Sequence, residues 1–99
     1  MKFADYVYKT LKGKVPRGKV ATYSTLAKAI GKPNAARAVG NALNRNPHAP
    51  IVPCHRVVKS SGEIGGFASG IGKKVTLLRK EGVEVIANKV PKRFILTRL

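Results

Sequence analysis

The only cysteine of this 99-residue chain lies in the segment Pro53-Cys54-His55-Arg56-Val57, beside one of its two histidines and an arginine. A thiol attacks as its thiolate, and a neighbouring imidazole or guanidinium favours that form by hydrogen bonding and by charge. Cys54 therefore reads as a candidate nucleophile, with His55 as the group that would polarise it. A small buried cysteine packed as an apolar residue is the other reading of the pentapeptide, because residues adjacent in sequence need not share a face. Adjacency also argues against a cysteine hydrolase, since neighbouring residues seldom present nucleophile and base directly to each other.

The composition narrows the partners. Twenty Lys and Arg oppose only Asp5, Glu63, Glu81 and Glu84, a formal charge of +16 whose self-repulsion an anionic partner would relieve. Nucleic acid leads. The basic residues are interleaved with Gly, Pro and core-type residues from Lys2 to Arg98, the pattern of a charged globular surface. No segment combines a long basic face with a bulky apolar one, which ranks a membrane surface well below DNA or RNA. One cysteine forbids an internal disulfide, and so few His and acidic residues make a protein-only metal site improbable, so no structural metal is expected. There is no charged leader with an apolar core, and no apolar run approaches spanning length. An intracellular protein is expected, cytoplasmic or, in a eukaryote, nuclear.

The elements that must position Cys54 are short. With 43% hydrophobic residues, the length suits one domain with one modest core over residues 1–99. Phe3, Tyr6, Val7, Thr10 and Leu11 recur at helical spacing, with Gly13 and Pro16 as breakers. After a turn over residues 15–19, Thr22 can cap a helix through Ile30, with Leu26, Ala27 and Ile30 on one face and Gly31 as a left-handed stop. Asn34 can cap a third helix to about Asn44, with Val39, Ala42 and Leu43 for the core. Two short helices joined by a Gly-containing turn resemble a helix-turn-helix. The second is rich in small residues, Ala35, Ala36, Ala38 and Gly40, around a projecting Arg37 suited to a phosphate or a base stack. Val57-Val58 suggests a short strand, and Gly65 to Gly70 a flexible loop. Val75, Leu77 and Leu78 suggest a last helix with Arg79 and Lys80 near its end, and Glu81 sits where a carboxylate opposes the helix dipole. Residues 83–99 alternate apolar and basic positions weakly, as a strand or a peripheral arm.

Taken in order, the helix-turn-helix, Asn46-Pro47, the Pro53–Val57 segment, the glycine loop and Glu81-Gly82 resemble the DNA-binding and active-site domain of O6-alkylguanine-DNA alkyltransferases, over roughly residues 3 to 85. The resemblance implies a mostly α fold with short strands, a winged-helix-like helix-turn-helix domain. It implies irreversible transfer of an alkyl group from O6 of a damaged guanine in double-stranded DNA to Cys54, with no cofactor and no turnover. His55 would act on the thiol through a water, Glu81 would orient the imidazole, and Tyr23 would donate a proton to the guanine ring. Arg37 would fill the gap left by the rotated nucleotide. Ala35, Ala36, Ala38 and Gly40 would lie against the minor groove, unusual for a helix-turn-helix but consistent with their lack of bulk. Asn46 would tie the recognition element to the active-site segment, and Arg56 would contact DNA.

The family's base pocket implies that the Cys54 and Val57 carbonyls accept from the guanine amino group. Phe67 would cover the pocket, and Ala68 stands where serine is frequent, keeping only the backbone N–H for the guanine oxygen. Family members usually carry an additional N-terminal domain, absent from this chain, and a protein partner in its place is an open expectation. Close relatives called alkyltransferase-like proteins bind the same lesions without repairing them, but most lack the cysteine. A lesion sensor is thus the nearest rival reading, and a helix-turn-helix regulator of undamaged DNA a third.

Overall fold

The computed structural model describes residues 2–46, 51–67 and 70–99. Helix α1 (Phe3–Lys14) buries Val7 and Leu11 from its apolar stripe, and Asp5 closes its first turn by accepting from the Lys2 N–H at 3.0 Å. It ends between the two expected breakers. A strand that the sequence did not suggest follows, β1 (Val20–Thr22), buried along its whole length. Thr22 ends β1 and caps α2 (Tyr23–Ala29), its hydroxyl accepting from the Thr25 N–H at 3.1 Å. Gly31 then takes φ +77°, the left-handed turn expected of it.

Helix α3 (Ala36–Asn44) buries Val39, Ala42 and Leu43 as expected, but its cap is Ala35, with no side-chain hydrogen bond, and not Asn34. The reason is local. The Ala35 N–H bonds the Lys32 carbonyl at 2.9 Å, so a backbone turn over Lys32–Ala35 delays the helix beyond the reach of the Asn34 side chain's capping role. Cys54–Arg56 forms a single 3₁₀ turn leading into β2 (Val57–Val58); α4 (Ile71–Lys80), a second 3₁₀ turn over Lys92–Phe94 and β3 (Ile95–Leu96) complete the chain. The 83–99 segment is thus a strand-bearing arm.

The sheet is three parallel strands in the order β2-β1-β3, with Ala21 opposite both Val57 and Leu96. Successive residues of a strand point to opposite faces. Ala21 and Val57 accordingly join α1, α2 and α3 in one apolar cluster, while Val20 and Val58 join Ile64, Leu78, Val83, Val85 and Val90 in another. The sheet therefore divides two small cores, and its parallel strands all deliver their C-terminal ends to the same side.

On α4 the expected core positions are only partly right. Leu78 is buried, but Val75 and Leu77 are half-exposed, and the other residue facing inward is Lys74, 0% exposed. Its Nζ donates to the carbonyls of Val57 and Ile64, both at 2.6 Å, and of Gly66 at 3.3 Å. One ammonium thus joins β2 to the loop that follows it. Lys74→Met would keep the length of the side chain and leave those carbonyls without this donor, at about 1–3 kcal/mol per unsatisfied buried group, offset in part by removal of a desolvated charge. We expect a net destabilisation of about 2 kcal/mol in urea unfolding; a variant as stable as the parent would show that the ammonium is dispensable to the fold.

Candidate active site and nucleic-acid surface

A pocket of about 450 Å³ opens between α2, α3 and the glycine loop, with Tyr23, Arg37, Gly40, Ser60 and Gly65 among its walls. Tyr23, the first residue of α2, stands half-buried in it. Two glycines let the backbone approach its ring. A Cβ at Gly40 would meet the ring at 3.8 Å, an ordinary contact, whereas one at Gly65 would come within 3.2 Å of the phenol oxygen from a φ of +75° that side chains rarely adopt. Burial raises the Tyr23 phenol above its ordinary value, and a negative charge on Cys54 would raise it further. The phenol is therefore held as a proton donor.

Cys54 begins its 3₁₀ turn half-buried, packed against the α1–α3 core. Buried Pro53 precedes it, and the turn is closed by the Arg56 N–H on the Pro53 carbonyl at 2.9 Å. His55 points inward and is nearly sealed, its Nε2 3.0 Å from Glu81 Oε1, although the ring N–H is not aligned for a hydrogen bond and Nε2 has no other partner. Burial pushes the imidazole below its ordinary value; Glu81 pulls it back, and the cationic charges of Arg56 and Lys74 add to the lowering. His55 is thus a neutral base at physiological pH, with a carboxylate beside Nε2 and Nδ1 left to take a proton.

That carboxylate is held from the other side by Arg56. Its Nε and Nη2 donate to Glu81 Oε1 and Oε2 at 2.9 and 2.8 Å, and Nη1 donates to the Val15 carbonyl at 3.1 Å. Such a fork fixes a carboxylate in orientation as well as position. Burial works to raise the Glu81 carboxyl, but the hydrogen bonds from Arg56, the close approach of His55 and the charges of both outweigh it and hold the group below its ordinary range. Arg56 was expected on DNA; the structure turns it inward and commits it to Glu81, because the 3₁₀ turn points it at the C-terminal end of α4.

The remaining expected residues divide. Arg37 is exposed at the pocket rim, Ala36 and Gly40 are half-buried beside it, and Ala38 is exposed, while Ala35 packs on the core behind the helix. Asn46 donates from Nδ2 to the Val52 carbonyl at 2.9 Å, linking the exit of α3 to the segment just before Cys54. The Val57 carbonyl already accepts from Lys74, and Val57 is fully buried. Phe67 is half-buried. Ala68 lies outside the described residues. Lys74 itself was missed: burial brings its ammonium down to about 8, while the charge of Cys54 favours keeping it protonated. The available signal was its helical spacing to Leu78, which puts a lysine on the apolar face of α4. Among the described residues no cluster of His, Cys, Asp and Glu could hold a metal ion.

The shifts of His55 and Glu81 predict acid lability. The unfolded imidazole takes its proton near 6.5 and the folded one only at lower pH, so stability falls as pH drops below 6.5. Glu81, also lowered, contributes stability present above its ordinary 4.5 and lost as pH falls below that. The melting temperature should decline in these two stages, and His55→Gln should remove the first; a melting temperature flat across the first stage in the parent protein would contradict the buried neutral imidazole.

The family described as 6-O-methylguanine DNA methyltransferase, DNA binding domain, matches residues 2–83. A methylated-DNA--protein-cysteine methyltransferase of Methanosarcina acetivorans is 51% identical over 80 residues, 81% of this chain and 51% of that protein. The chain spans about half the length of the curated relatives it matches. The fold is similar to that of Mycobacterium tuberculosis OGT in complex with DNA, with a TM-score of 0.78 and 46% identity, covering 82% of this chain and 50% of that one. It is also similar to S. pombe Atl1 in complex with damaged DNA containing O6-carboxymethylguanine, with a TM-score of 0.83 and 30% identity, covering 97% of this chain and 98% of that one. With the match spanning the helices, the Cys54 turn and Glu81 alike, the chain belongs to the 6-O-methylguanine DNA methyltransferase DNA-binding domain family.

Proposed function

We propose that this chain repairs O6-alkylguanine in double-stranded DNA by irreversible transfer of the alkyl group to Cys54. The observation that carries this reading is a half-buried thiol that opens the 3₁₀ turn whose next residue, His55, is a buried neutral imidazole set against a fixed carboxylate. His55 takes the thiol proton through a bridging water, and Glu81 stabilises the imidazolium that results. The thiolate attacks the alkyl carbon; the carbon–sulfur bond forms as the carbon–oxygen bond to O6 breaks. Tyr23 gives its proton to the guanine ring as the electron pair arrives there. The product is a thioether, which no second nucleophile in the site releases.

For DNA engagement, α2 and α3 serve as a helix-turn-helix that presents small residues to the minor groove. Arg37, exposed at the rim of the pocket, enters the base stack in place of the extruded nucleotide. A non-catalytic lesion sensor is the second reading, favoured by the end-to-end correspondence with Atl1.

With excess O6-methylguanine duplex, intact-protein mass spectrometry should find one methyl group per chain, on Cys54. Cys54→Ser should bind DNA normally and transfer nothing measurable, because the hydroxyl pKa lies far above that of a thiol. Tight lesion binding with no change in mass would transfer the argument to the sensor. Arg37→Ala should slow repair in duplex DNA by about tenfold or more, since unstacking costs a few kcal/mol, while sparing the reaction with free O6-benzylguanine. Equal losses on both substrates would remove Arg37 from the extrusion step.

A further inference from the structure

A second groove, of about 470 Å³, lies against the base pocket. Ser24 and Ser60 line both, and their hydroxyl oxygens are 3.3 Å apart, so the two depressions share one ridge. The topology explains the neighbourhood. Because all three strands run parallel, the chain after β1 (Thr22 to Thr25), after β2 (Ser60) and after β3 (Thr97) emerges at one end of the sheet. The far bank of the groove is built by the C-terminal arm, through Lys92, Ile95 and Thr97, beyond the residues that the family pattern covers.

The chemistry of this groove is one-sided. Its polar lining consists of the hydroxyls of Thr22, Ser24, Thr25, Ser60 and Thr97 and the ammonium groups of Lys28 and Lys92, with no carboxylate. The ion pairs among the described residues involve neither lysine. Hydroxyl donors between two lysines on opposite banks fit an anion with several acceptor oxygens, and lysine suits phosphate as a point charge. The arm is firmly seated: Val85 and Val90 are buried, the Val90 N–H bonds the Gly62 carbonyl at 2.8 Å, and Lys19 Nζ bonds the Arg93 carbonyl at 3.2 Å. It can therefore offer Lys92 and Thr97 as fixed groups.

We propose that this groove binds a backbone phosphodiester of the strand whose damaged nucleotide occupies the base pocket, making the C-terminal arm part of the DNA interface. The inference rests on the DNA-repair reading above and commits its partner to DNA. Lys28 and Lys92 would contact that one phosphate from opposite banks.

The double variant Lys28→Gln/Lys92→Gln, compared with the parent on an O6-methylguanine duplex across a range of salt, tests this. Loss of one neutralised phosphate should flatten the slope of log affinity against log salt by about 0.9 in the double variant. A control pair, Lys9→Gln/Lys12→Gln on exposed positions of α1 that line neither depression, should change the slope far less. Reaction with free O6-benzylguanine should be unaffected in both. An unchanged slope in the Lys28/Lys92 variant, or an equal change in the control pair, overturns the groove as a phosphate site. Loss of the free-base reaction in the Lys28/Lys92 variant would show damage to the pocket and equally overturn it. If the parent itself bound duplex DNA without salt dependence, the DNA reading would fail, and the groove with it.

Discussion

The carboxylate of Glu81 sits at the C-terminal cap of α4, where the helix dipole disfavours it, and is there held by two hydrogen bonds from Arg56 and by its approach to His55. Three parts of the chain meet at it. Arg56 reaches on to the Val15 carbonyl after α1, Arg17 from the same turn donates to the Lys80 carbonyl at 3.0 Å, and the Cys54–Arg56 turn lies between. With the Arg56 and Glu81 side chains only 16% and 11% exposed, removing either would leave the other charge largely buried, a loss of about 3–5 kcal/mol in comparable pairs. That magnitude makes the pair structural before it is catalytic. The orientation of His55 is a consequence of it.

The ammonium of Lys74 is buried with carbonyl partners and, among the described residues, no carboxylate. Two cations of different kinds thus act on the His55 ring. Arg56 is neutralised by Glu81, and its net effect at a distance is small. Lys74 is not neutralised, so its charge is felt by the groups around it: it lowers His55 and is itself favoured by a thiolate at Cys54. A nucleophile that becomes negative in such surroundings gains counter-charge without any residue having to move.

The small sheet gives these groups their common frame. Three strands of two or three residues contribute little hydrogen bonding, but their parallel register brings Tyr23, Ser60 and Thr97 to one end and divides the two apolar clusters. The pocket and the neighbouring groove are both consequences of that convergence.

The sequence by itself determined the local features, because each depends on neighbours in the chain: the Thr22 cap, the Gly31 turn, the apolar stripes of α1 and α3, and the Cys54-His55 pair with its resemblance to a known family. It determined too little about β1 and β3, which are too short to display the alternation by which strands are read. The meeting of His55 with Glu81, separated by one helix and a loop, was legible only through the resemblance. What the tertiary structure alone decided were the fates of charged side chains, since burial and long-range partners leave no periodic trace: Arg56 turned from solvent to Glu81, and Lys74 turned from a surface lysine into the buried tie between β2 and the glycine loop. A charged residue's place depends on which partners the fold brings to it, and those partners come from distant parts of the chain.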